Sequence, residues 1–176
     1  AGFTHWAKLN NLKQAAKTMN FLTEHGISSY GELESKLTAI SARRDTAHAE
    51  IKRIESRSAE LTLVMKHAGT YRQLKPIYDR YRKSNDKEKF LRGHESEIIL
   101  FEAAARELKR LGAVPLPTTE SMKTELANLN AEKERLLAEY KTTRTEAQEY
   151  DTVKQNVDAL LTVPKEQEQQ RRHELE

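Results

Sequence analysis

The stretch LESKLTAISARRDTAHAEIKRIESRSAELTLVMKHA, residues 33–68, decides the fold. Leu33, Leu37, Ile40, Arg44, Ala47, Ile51, Ile54, Ser58, Leu61, Met65 and Ala68 recur in alternating steps of four and three over five heptads. Only a helix places such positions on one side. The strict seven-residue repeat marks a narrow coiled-coil seam rather than the broader face of a globular helix. Arg44 and Ser58 interrupt the seam, which lowers its stability and restricts its register. Ser29, followed three residues later by Glu32, is a capping-box start.

A second frame runs through Met122, Leu126, Leu129, Lys133, Leu136, Tyr140, Thr143, Ala147, Tyr150, Lys154, Val157 and Leu161. Thr118 or Thr119 caps it, and Pro164 is read as its end. At 1.5 Å per residue a helix over 119–163 is roughly 65 Å long, close to the span of the first seam. Two matching seams in one chain can close on each other in an antiparallel hairpin, and pairing between two chains, a homodimer, is the alternative. Two shorter helices flank them. The first, over 4–25, carries Trp6, Leu9, Leu12, Ala15, Ala16, Met19 and Leu22 as its apolar face and stops at Gly26. The other, over 86–111, carries Phe90, Leu91, Ile98, Phe101, Ala104, Ala105 and Leu108 and stops at Gly112. The spacing therefore predicts helices over 4–25, 30–83 (broken near 69–76 by Gly69 and Pro76), 86–111 and 119–163. The fold class is all-α, an elongated helical bundle built on a long antiparallel coiled-coil hairpin. Residues 4–163 form its single domain and residues 164–176 a flexible polar tail.

Composition agrees. Leu, Ile, Val and Phe together make 36 of 176 residues, while 32% are charged. That is the balance that narrow seams require, and a net charge of only +3 argues against disorder. There is no apolar run of the roughly 20 residues needed to span a bilayer, and the opening residues lack the apolar segment of a signal peptide. No membrane association and a cytoplasmic location are expected. With no cysteine there is neither a disulfide framework nor a thiolate site. A chain that opens on Ala1 is expected to be part of a longer protein.

Catalytic signatures are missing. The six histidines form no HxxxH or HxH pattern, and His94 with Glu97 is the nearest approach to a ligand pair. No Gly-rich turn exposes a nucleophile or cradles a phosphate. No catalytic residue, metal ligand set or cofactor is expected. Charge is more informative. Lys66, Arg72, Lys75, Arg80, Arg82, Lys83, Lys87, Lys89 and Arg92 face only Asp79, Asp86 and Glu88, so this segment carries +6 and the rest of the chain −3. Tyr71, Tyr78, Tyr81 and Phe90 interleave with the cations, a pattern that suits phosphate contact and base stacking. Tyr71 and Tyr78, seven apart, equally fit a core stripe, and the cations equally fit a solvated face or a protein interface.

Four blocks carry a family likeness: WAKLNNLKQAAKTMNFLTEHGI, YDRYRKSNDKEKFLRGHESEIILFEAAARELKRLG, LPTTESMKTELANLNAEKERLLAEYKTTR and KQNVDALL. In this order, from about Trp6 to Leu161, the chain resembles the C-terminal region of bacterial relaxases, the mobilisation nucleases of conjugative and mobilisable elements. It departs from that pattern at Ser84-Asn85-Asp86, where a Gly-Tyr pair is expected. Relaxases nick one DNA strand at an origin of transfer with a tyrosine and a histidine-held metal, in an N-terminal nuclease domain. Nothing in these residues matches that domain. The resemblance implies a non-enzymatic accessory module, with DNA held in a sequence-unspecific way and conjugation or mobilisation proteins as partners.

Overall fold

The computed structural model describes residues 2–173, with side-chain environments over 10–162. Among them are four helices and no strand: α1 (Gly2–Glu24), α2 (Tyr30–Lys83), α3 (Lys87–Arg110) and α4 (Thr119–His173). The all-α class follows directly from the two helical periodicities. The chain divides into two compact units. The first comprises 1–48 and 137–176, the second Ala49–Leu136.

In the first unit, α2 and α4 run antiparallel. Tyr30 Oη donates to Asp158 Oδ1 at 2.7 Å, Lys154 Nζ lies 3.9 Å from Glu34, and Arg43 pairs with Glu139 at 3.8 Å. Leu33 and Ile40 of α2 pack with Ala147, Tyr150 and Val153 of α4, joined by Ile27. Buried Thr143 occupies a seam position without penalty because its hydroxyl donates to the Glu139 carbonyl one turn back at 2.9 Å. α1 closes this core with Phe21 and Leu22, Phe21 meeting the Tyr150 ring edge-on at 5.0 Å.

The buried side of α1 is not the one expected. Leu12 is 68% exposed and Met19 58% exposed, whereas Thr18 is buried. A polar relay explains the choice. Gln14 Nε2 donates to Asn156 Oδ1, Asn156 Nδ2 donates to Thr18 Oγ1, and Thr18 donates to the Gln14 carbonyl. Three hydrogen-bonding side chains that satisfy one another, together with Phe21, turn the helix so that Thr18 is buried and only Ala15 and Leu22 of the expected face stay half-buried among the described residues. Trp6 and Leu9 lie outside the residues whose side chains are described.

In the second unit α2 and α4 are again antiparallel, with Lys133 2.7 Å from Glu55 and Arg57 2.7 Å from Glu125. The core joins Leu61, Val64 and Ala68 of α2 to Leu108 of α3, Ala113 of the linker and Met122 of α4. α3 contributes Ile98, Phe101, Ala104 and Leu108. Helix ends are built as the sequence reads. Ser29 Oγ accepts from the Glu32 amide, and Glu32 accepts in turn from the amide and hydroxyl of Ser28, one residue before the usual capping-box partner. Thr118 Oγ1 accepts from Ser121 N. Gly26 and Gly112 take φ of +61 and +68, and both helices ending there close in Schellman motifs. Ile27 N donates to Leu22 O, and Ala113 N to Leu108 O, each at a matched apolar contact.

Two helix ends differ from expectation. No break occurs near 69–76, because α2 continues through Gly69 and Pro76 to Lys83. A proline inside a helix deprives one carbonyl of its donor, which at an exposed position water supplies. The helix is also held on both sides of it, since Tyr71 and Tyr78 each stack on Phe101, at 4.7 and 4.2 Å. Pro164 likewise fails to end α4, which runs to His173 through a stretch rich in Glu, Gln and Arg, strong helix formers. Residues 164–173 are therefore helical, and 174–176 lie outside the described residues.

The backbone and the caps can be probed separately. Nothing within 4 Å would meet a Cβ at Gly69, so Gly69→Ala, in an unbroken helix, should gain roughly 0.5–1 kcal/mol. Gly112→Ala, forced into the left-handed region, should lose about 1–2 kcal/mol. Thermal melts of the two variants should move in opposite directions, and a fall for Gly69→Ala would contradict the continuous helix. The caps respond to pH. Hydrogen bonds from Ser28 hold the Glu32 carboxyl below its usual range, and those from Tyr30 and Lys154 do the same for Asp158. A lowered folded-state value gives stability that is present above the unfolded value near pH 4 and is lost as pH falls through the folded one. The melting temperature should drop on acidification below about pH 4. The double variant Glu32→Gln, Asp158→Asn should be less stable at pH 7 and show a smaller acid-induced drop.

Candidate nucleic-acid interface

All nine cations of the basic segment fall in the second unit, on the latter part of α2 and the start of α3, either side of the turn Ser84-Asn85-Asp86. The turn is fixed locally. Ser84 N donates to the Tyr81 carbonyl, and Asp86 Oδ1 accepts from Lys89 N as the N-cap of α3. The cations then divide by what they touch.

Three are engaged. Arg72 reaches back to the linker, its guanidinium donating to Thr119 Oγ1 at 2.7 Å and to the Pro117 carbonyl. Lys75 pairs with Asp79 at 2.7 Å, and this bond raises the lysine's affinity for its proton. Arg92 lies 3.4 Å from Glu88, both highly exposed. Every acid of the segment is thus engaged, Asp79 and Glu88 in ion pairs and Asp86 on an amide of α3. Lys66, Arg80, Arg82, Lys83, Lys87 and Lys89 make no ion pair among the described residues, and all six are exposed.

Five of the six sit at helix ends, in two electrostatic settings, while Lys66 lies in the interior of α2. Arg80, Arg82 and Lys83 occupy the last turn of α2, where the negative end of the helix dipole favours cations by about 0.3–1 kcal/mol each. Arg82, two turns beyond Lys75 on the same face, lowers the latter's proton affinity slightly by like charge. Lys87 and Lys89 occupy the first turn of α3, at a positive helix end that disfavours cations. Lys87 gains some compensation over the Tyr81 ring, 6.0 Å from its centroid.

The aromatics form a chain of ring contacts rather than a row of open platforms. Tyr71 and Tyr78 stack on Phe101, Tyr78 leans on Tyr81, Tyr81 on Phe90, and Phe90 on His94 at 4.6 Å. The core-stripe reading of Tyr71 and Tyr78 is the one observed. Phe101, the ring that receives both, lies beyond the basic segment; its place among the apolar positions of α3 was the available signal. His94, where α3 departs from helical geometry, sits 3.5 Å from Glu97 through Nδ1. Glu97's carboxyl is lowered by a bond to its own backbone and by His94. Among the described residues no group of three or more His, Asp or Glu side chains converges as metal ligands would. No helix is long and apolar enough to cross a membrane among the described residues.

No protein-family model, curated protein or solved structure matches the chain.

The partition is testable by stability alone. Arg72→Ala removes two hydrogen bonds, one from α2 to the linker and one to the start of α4, and should cost about 1–2 kcal/mol. Arg80→Ala removes no hydrogen bond or ion pair among the described residues, only its share of the helix-end interaction, and should cost less than Arg72→Ala, about 0.3–1 kcal/mol in chemical denaturation. Equal losses would show that the two arginines are not differently engaged.

Proposed function

We propose that this chain is a non-catalytic C-terminal accessory module of a relaxase acting in conjugative DNA mobilisation, which assists DNA binding through its basic segment. One observation carries the reading: six exposed cations in a short segment have no ion pair among the described residues, while each of the segment's three acids is otherwise engaged. The family likeness of the four sequence blocks supplies the setting, a nuclease domain elsewhere and DNA close by. Unpaired lysines and arginines bind phosphates by displacing condensed counterions, so such binding is strongly salt-dependent and needs no base-specific contact.

A second reading, a coiled-coil protein-interaction module docking the relaxase to accessory or coupling proteins without DNA contact, draws on a different feature. α1 turns Leu12 and Met19 outward, and α3 leaves Ile99 and Leu100 more than half exposed. Absence of a DNA shift at low salt, with a mobilisation protein retained in a pull-down, would favour it.

Titration of labelled duplex DNA at several salt concentrations tests the first reading. With about 3 to 5 phosphates contacted, log K should fall against log salt with a slope of roughly −3 to −4.5. Charge reversal at Arg80, Arg82 and Lys83 should abolish binding. Unchanged binding in that variant would remove the basic segment from the account.

A further inference from the structure

We propose that the basic turn recognises the sugar–phosphate backbone alone, so that its ligand class is any phosphodiester strand, single or double, with no base stacked on the protein. This rests on the DNA-binding reading above and narrows it. Proteins that grip single strands usually add aromatic platforms, each stacked base being worth about a 5- to 150-fold gain in affinity. Here the rings interleaved with the cations are committed to one another. Phe101 receives Tyr71 at 4.7 Å and Tyr78 at 4.2 Å with interplanar angles of 26° and 22°, so each of these tyrosines has one face closed. Tyr81 carries the Lys87 ammonium over its ring, and Phe90 rests between Tyr81 and His94. All four are at least partly buried. A base approaching this turn meets rings that already have a partner and are only partly exposed.

What the turn does offer is cationic, and part of that charge has no use in the fold. The three cations ending α2 complement its dipole. Lys87 and Lys89 do the reverse at the start of α3. An anionic strand beside them would remove the mismatch without rearranging a side chain of the core. The same helix end also presents Asp86 and Glu88, but Asp86 is held on the Lys89 amide and Glu88 faces Arg92.

The test compares three ligands by fluorescence anisotropy at low salt with the whole chain. They are a single DNA strand longer than the ~4–16 nucleotides of one binding site, an abasic strand of equal length, and the corresponding duplex. Base-independent recognition requires that the abasic strand bind within about threefold of the ordinary one. Lys87→Ala with Lys89→Ala should weaken all three ligands and reduce the duplex salt slope by about 1.8, one 0.9 increment per lost phosphate contact. It should leave the melting temperature equal or higher, since two cations leave a positive helix end. An ordinary strand that outbinds the abasic one more than about fivefold overturns the proposal while leaving DNA binding intact. If none of the three ligands binds, the DNA reading falls and this proposal falls with it.

Discussion

The narrow strip along which α2 meets α4 is the constraint to which everything else in each unit conforms. Its members are modest in size. In the first unit Leu33 and Ile40 oppose Ala147, Tyr150 and Val153; in the second Leu61, Val64 and Ala68 oppose Met122. A strip this thin leaves most of each helix surface charged, which is why a third of the residues can be Lys, Arg, Asp or Glu without disorder. It also leaves each pair of helices in need of a third element. α1 supplies it in the first unit with Phe21 and Leu22, and α3 in the second with Ile98, Phe101 and Leu108.

The seam was legible because many weak signals add. Every position of the α2 frame is buried or half-buried, including Arg44 and Ser58, and the α4 frame holds from Met122 to Val157 before Leu161 emerges into solvent. Val64 and Val153 are buried beside the frames, as a helix of 3.6 residues per turn drifting against a seven-residue repeat requires. The face of α1 was not legible. Its apolar wheel is real, but the neighbour's surface decides which side is buried. Asn156, far along the chain, offers Gln14 and Thr18 a pair of hydrogen bonds that an apolar face could not accept. Pro76 misled for a related reason: a local penalty of about 3 kcal/mol is read from the sequence, whereas the contacts that offset it come from α3.

The candidate interface divides along the same line. Its total charge is a count and needs no structure. The pairs Lys75–Asp79 and Glu88–Arg92 are four residues apart, hence also visible as helix neighbours. The engagement of Arg72 is not, because its partners lie 45 and 47 residues away on the linker and the cap of α4. Nor could spacing alone separate tyrosines that stack on a strand from tyrosines that stack on Phe101. The stack on Phe101 is the one that forms where α3 lies against α2.

Phe101 accordingly links the packing to the charge. By receiving Tyr71 and Tyr78 from either side of Pro76, it keeps the last turns of α2 helical and pressed against α3. The three terminal cations of α2 and the two initial lysines of α3 therefore share one fixed turn instead of two frayed ends. Within that turn the charges are not equivalent. Those on α2 stabilise a helix end. Those on α3 oppose the helix that carries them, and among the described residues only Lys87, over the Tyr81 ring, has a compensating contact in the fold.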